Sequence, residues 1–172
     1  RLGQLGVVSG TALDQILARR LQNGDPGGHM RRALDRFPFP DMAERVWSSF
    51  YIPGGKPEEK PYTIPPLMTP DLAPERRELI VVANFVEVWL AREGHDQPVG
   101  INYLEKIQIP HLPSLYGAML AGVSWVLMGA GIPRDIPGVL DRLALHEAVS
   151  IPLNVEGASR EDGFGVGFGV GF

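Results

Sequence analysis

Residues 98–155, PVGINYLEKIQIPHLPSLYGAMLAGVSWVLMGAGIPRDIPGVLDRLALHEAVSIPLNV, alternate two patterns. PVGINYL, VSWVLMGAG and AVSIPLNV are short apolar runs and read as strands; PSLYGAMLAG, with Pro113 near its start, and IPGVLDRLALH read as helices between them. Strands recurring roughly every 25 residues with a helix in each interval imply βαβ units and a parallel sheet. The unbroken apolar character of these strands suits a sheet covered on both faces.

Upstream of this block, Leu5 to Val8 form a short apolar strand that runs into Ser9-Gly10. Thr11 is placed as an N-cap with Asp14 three residues on, a capping-box spacing. Leu13, Ile16, Leu17 and Leu21 then share one helical face, and Asn23-Gly24 ends the helix. Residues 27–37 and 41–50 read as two short helices, with Met30, Leu34 and Phe37 inward on one and Met42, Val46 and Phe50 on the other. Asp41 is expected to cap the second. The stretch from Tyr51 to Pro74 is rich in proline and carries the charged cluster KPEEK; it reads as an insertion on a βα unit, a surface arm before a lid. A long helix follows over about Glu75 to Glu93. Its buried face carries Leu79, Val82, Ala83, Val86 and Leu90, and Gly94 closes it.

Counted this way, the strands lie at 5–8, 98–104, 123–128 and 149–155. A (β/α)8 barrel needs eight strands and about 250 residues. The expected fold is therefore α/β, an incomplete (β/α)8 TIM barrel of about four βα units over residues 1–157, with the insertion at about 51–74. The opening on Arg1 rather than Met leads to the expectation that the chain is a piece of something longer. Residues 158–172 end in GFGVGFGVGF, a Gly-Phe-Gly-Val repeat. Glycine at alternate positions weakens a strand, so this tail is expected to be low-complexity sequence foreign to the fold.

Composition narrows the function. The 172 residues are 44% hydrophobic and 21% charged, with net charge -4 and cationic residues interspersed among acidic ones, which argues against a nucleic-acid surface. There is no cysteine, so thiol nucleophiles, disulfides and cysteine metal sites are excluded. No apolar run approaches the roughly 20 residues needed to span a bilayer, and no signal-peptide pattern opens the chain; a cytoplasmic location is the default expectation. The histidines at 29, 95, 111 and 146 lack metal-ligand spacing, so no metal is expected. The chain has no GxSxG elbow, Walker A loop or GxGxxG before a helix. Asp25-Pro26-Gly27-Gly28 opens a basic helix and reads as a plain N-terminal turn rather than an anion site.

Parallel α/β folds meet their ligands at the carboxyl ends of strands. That rule selects Ser9-Gly10, Asn102-Tyr103 and Gly129-Ala130-Gly131. Glycines at such ends allow a ring or phosphate to approach the backbone, although tight turns use glycine for conformation alone. Asn102 interrupts an apolar strand, and its amide can donate and accept toward a heterocycle edge or tie down a loop. Glu105 and Lys106 leave the strand together as a solvated pair.

The block from Gly100 to Leu143 resembles the nitronate monooxygenases, formerly the 2-nitropropane dioxygenases, which are FMN-dependent TIM barrels grouped with flavin-dependent enoyl reductases. Ile101-Asn102 matches the family's Val/Ile-Asn, and Ala121-Gly122-Val123 through Gly129-Ala130-Gly131-Ile132-Pro133 matches its next strand and turn. LGVVSGTAL is similar to an earlier strand with Gly10 at the mouth, and DPGGHMRRAL with the proline-rich insertion resembles a longer bacterial branch. The resemblance covers about residues 3–157. It implies FMN as cofactor, Asn102 at the flavin or its ribityl chain, Gly10 at the mouth, and Gly129 and Gly131 against the ring or substrate. It implies an oxidoreductase that oxidises alkyl nitronates with molecular oxygen, or alternatively reduces an enoyl thioester; a third alternative is a fragment or half-barrel with no activity of its own. The family's catalytic base is a histidine in a later Gly-Gly-His. Gly27-Gly28-His29 lies too early to take that role, so no catalytic residue is assigned. A half-barrel would also expose sheet edges, through which self-association is expected.

Overall fold

The structure is a computed structural model that describes residues 5–157 and 163–169. Along the chain it forms β1 (Gly6–Ser9), α1 (Leu13–Gln22), α2 (His29–Leu34), α3 (Pro40–Phe50), α4 (Pro74–Arg92), β2 (Val99–Leu104), α5 (His111–Leu120), β3 (Trp125–Gly129), α6 (Ile136–Ala144), β4 (Val149–Pro152) and β5 (Gly165–Phe168). It is a mixed α/β chain with a three-stranded parallel sheet and a separate two-stranded sheet. No helix among the described residues is long and apolar enough to cross a membrane.

Alternation along β2 organises the molecule. Val99, Ile101 and Tyr103 are buried, while Asn102 and Leu104 are exposed on the opposite face. β2 pairs in parallel with β1 on one side, Ser9 opposite Asn102, and with β3 on the other, Asn102 opposite Leu127. The sheet order β1-β2-β3 follows the chain order, so each crossover steps the same way. Right-handed crossovers that never reverse direction place all their helices on one face. The contacts agree: the Tyr103 hydroxyl reaches both Asn84 of α4 and the Ser114 carbonyl of α5.

α4 is the central pillar. Leu79, Val81, Val82, Ala83, Phe85, Val86 and Val88 are all buried, because α1, α2 and α3 cover one side while α5 and the sheet take the other. α5 approaches so closely that a Cβ on Gly117 would overlap the Val81 carbonyl. α3 has the expected core residues Met42, Val46 and Phe50. The proline-rich arm runs without helix or strand and is tied to α1 by one buried side chain. Gln22 donates to the Thr63 carbonyl at 3.1 Å and accepts from the Thr63 amide at 2.7 Å.

Several sequence expectations are corrected. Of the four strands expected in one parallel sheet, only three pair in it among the described residues, and β4 does not join them. β4 instead pairs antiparallel with β5, a strand inside the glycine-rich end whose composition predicts a tail foreign to the fold. Alternation explains this: Val166 and Phe168 fall on one face and are buried, and the intervening glycines leave the other face bare. Phe168 packs 5.5 Å from the Tyr116 ring. Residues 158–162 and 170–172 of the tail lie outside the described residues. The parallel sheet is not covered on both faces either, since Val7, Trp125 and Leu127 are 46%, 50% and 41% exposed.

Two caps are also reassigned. Thr11 does not cap α1; Ala12 occupies that position in left-handed conformation, φ 55°, and no side chain caps the helix. Asp14 is used elsewhere, as the buried ion-pair partner of Arg76 on α4. α3 begins at Pro40, where a missing N–H costs nothing, so Asp41 lies inside the first turn rather than at the cap.

Candidate functional site

The open face of the parallel sheet is built in rows. Val7, Gly100 and Trp125 form one row, and Ser9, Asn102 and Leu127 the next toward the carboxyl ends; Leu104 and Gly129 complete the face. The lower row is apolar and the upper rows bring a hydroxyl, an amide and a glycine together where parallel strands end. Asn102 is exposed at the centre of this arrangement. Its position follows from period two: Ile101 and Tyr103 enter the core, so the amide between them must face outward.

The four sequence-selected positions separate into two pairs. Asn102 and Gly129 share the open face, and a Cβ at Gly129 would make only ordinary contact, 3.7 Å from the Tyr103 carbonyl. Gly10 has an internal reason to be glycine, and Gly131 is crowded only by a side chain that can move. A side chain on Gly10 would collide with the Tyr103 ring, and one on Gly131 would collide with the Glu105 carboxylate. The Gly10 amide donates to the Asn102 carbonyl at 2.8 Å, which continues the strand ladder by one bond. Ala130, between the two glycines of the third turn, has φ 63°, so that turn carries real backbone constraint.

Behind β2 lies a polar cluster that strand and helix patterns did not reveal. The Tyr103 hydroxyl donates to Asn84 Oδ1 at 2.8 Å, with the Ser114 carbonyl at 3.1 Å as alternative acceptor. Asn84 donates in turn to the Ile80 carbonyl at 2.9 Å. Burial holds the Tyr103 phenol far above its ordinary pKa, so it keeps its proton. His111 Nε2 lies 3.0 Å from the Leu104 carbonyl, an acceptor, so that nitrogen carries hydrogen. Burial lowers the His111 pKa, opposed by the Leu104 carbonyl and by Glu105. One signal for this cluster was in the sequence: Asn84 is a lone amide inside the apolar run of α4.

The other histidines are held by local contacts. His29 Nδ1 is 3.0 Å from Arg32, His95 Nε2 is 2.8 Å from the Ala91 carbonyl, and His146 Nδ1 is 2.9 Å from the Tyr116 hydroxyl. None of these contacts brings a histidine to Asn102. Among the described residues, no group of three or more His, Asp or Glu is arranged to hold a metal ion. The Gly-Gly turn before α2 is filled internally, since the Asp25 carboxylate accepts from the Met30 and Arg31 amides at 2.9 and 2.8 Å. The helix N-terminus therefore already has its anion.

No protein family, no curated protein and no solved structure matches the chain.

Proposed function

We propose that the chain is the early part of an FMN-dependent (β/α)8 barrel oxidoreductase similar to the nitronate monooxygenases. The observation that carries this reading is the combination of one-way winding and a bare inner face. Sequential parallel strands with helices on one side and apolar residues on the other are what a barrel segment looks like before the remaining strands enclose its interior. A doubly wound sheet would instead reverse direction and carry helices on both faces.

The residues present fit the ring end of FMN. Asn102 offers both a donor and an acceptor to the edge of a planar heterocycle, and Gly129 lets the backbone lie flat beside it. Leu127, in the row with Asn102, gives the ring an apolar surface to rest on. The phosphate would be held by loops after later strands, where barrels of this kind commonly hold it. When bound, FMN supplies the redox chemistry, accepting electrons from the substrate and releasing them to oxygen. This chain would orient the ring through Asn102 and exclude water from one side of it through the apolar row beneath. No base is assigned within it. Alone, the chain is expected to lose FMN during gel filtration and to associate with itself through its uncovered sheet.

The test uses the longest reading frame that contains this chain. A yellow protein that releases FMN on denaturation is expected, and a colourless one overturns the reading. Turnover of an alkyl nitronate with oxygen supports the monooxygenase. If only a crotonyl thioester with NAD(P)H turns over, the barrel stands and the enzyme is an enoyl reductase.

A further inference from the structure

We propose that the hollow behind the carboxyl end of β2 is a binding site for a small neutral molecule of single-ring size bearing a hydroxyl or carbonyl group. The hollow measures about 160 Å³ and lies between the β1–α1 turn, α4, the start of α5 and Met68 of the proline-rich arm. An aliphatic cavity of about 150 Å³ is enough to take up benzene. Size therefore sets the guest at six to eight heavy atoms, on the order of one aromatic ring. The site lies on the helix side of the sheet, whereas Asn102 faces the opposite side. It does not rest on the flavin reading.

Polarity sets the class of guest. Leu13, Met68 and Ile80 give the hollow apolar walls, and buried Asn84, Tyr103 and Ser114 place polar groups among them. The Tyr103 hydroxyl spends its single hydrogen on Asn84 or the Ser114 carbonyl and keeps its lone pairs. The Asn84 amide gives one of its two hydrogens to the Ile80 carbonyl. Between them, Tyr103 and Asn84 therefore keep an acceptor and a donor for a guest, which suits a hydroxyl.

Charge excludes the alternatives. Asp14 lines the hollow but is neutralised by Arg76, with both side chains buried. His111 gives its Nε2 hydrogen to the Leu104 carbonyl and is held toward its neutral form by burial. With walls of no net charge, a charged guest would lose its hydration and gain no counter-ion.

The experiment titrates the chain with phenol, benzoate and benzylammonium, following amide shifts of Thr11, Ile107 and Ser114 by heteronuclear NMR. Phenol is expected to saturate, and the two ions to bind at least roughly tenfold more weakly. Ile107 is exposed on the rim. Ile107→Trp should block the entrance and weaken phenol by a similar factor, with Met68→Trp as a second obstruction should the first disturb folding. Shifts that rise linearly with phenol, equal binding of benzoate, or saturation unaffected by both obstructions would overturn the assignment. The last outcome would place phenol on the open sheet face instead.

Discussion

Burying a guanidinium requires a counter-charge, and in this chain Asp14 supplies it across the α1–α4 contact. The two side chains are only 5% and 7% exposed, for Arg76 and Asp14 respectively, and Arg76 Nε has no hydrogen-bond partner among the described residues. Such a pair contributes little net stability when both members are present, because desolvation offsets attraction, but removing one leaves a bare charge. Arg76→Met is therefore predicted to cost about 3–5 kcal/mol. The double change Asp14→Leu with Arg76→Met should recover most of that loss. Urea unfolding midpoints of the three proteins measure this directly, and a single substitution no worse than the double would contradict it. The same pair shows where single-residue reading stops. Asp14 sits at capping-box spacing from Thr11, yet its partner is far along the chain, and a local rule has no access to it. Asn102 was legible because its signal is local: one amide in an apolar strand must either face outward or disrupt the core. Tyr103, Asn84 and His111 come from three separate segments, and only the packed structure makes them a cluster.

Between elements, α4 and α5 pack closely, and a pair of glycines makes this testable. Alanine is favoured over glycine inside a helix by about 1 kcal/mol, which alone would make Gly→Ala stabilising in either α5 or α6. At Gly138 in α6 an added Cβ meets nothing within 4 Å, so Gly138→Ala should stabilise by up to about 1 kcal/mol. At Gly117 in α5 it meets the Val81 backbone, which cannot move as a flexible side chain would. Overpacking of this kind costs about 1–3 kcal/mol and should outweigh propensity, so Gly117→Ala is predicted to destabilise. Thermal melts of the two variants should move in opposite directions; a shared sign would mean that α4 and α5 are not packed this closely. Most elements could be read from periodicity, since α4 and the β2–α5–β3 unit are strongly patterned. β5 could not, because glycine lowers strand propensity while Val166 and Phe168 quietly keep the alternation that burial uses. Nor could the departure of β4 from the parallel sheet, because its pairing with β5 lies outside the strand–helix alternation that describes the preceding units.

At the scale of the whole molecule, the parallel sheet is exposed in two ways. Among the described residues, β1 and β3 each have one unpaired edge in the sheet, and Leu5, Val7, Trp125 and Leu127 present apolar surface on the open face. Edges offer backbone hydrogen bonds to another chain, whereas the face offers apolar burial, and the two drives can be separated. If burial dominates, association should fall when charge is placed on the face with the edges left intact. Trp125→Lys with Leu127→Lys does this at positions already 50% and 41% exposed, where a substitution usually changes stability by no more than about 0.5 kcal/mol. Sedimentation velocity over a range of concentrations is predicted to show the parent chain associating and the double variant shifted toward monomer. Unchanged association would transfer the drive to the strand edges, where a bulky charge on the face has little leverage. A parent chain that stays monomeric at every concentration would count against an uncovered barrel interior, and so against the reading of this sheet as one arc of a larger barrel.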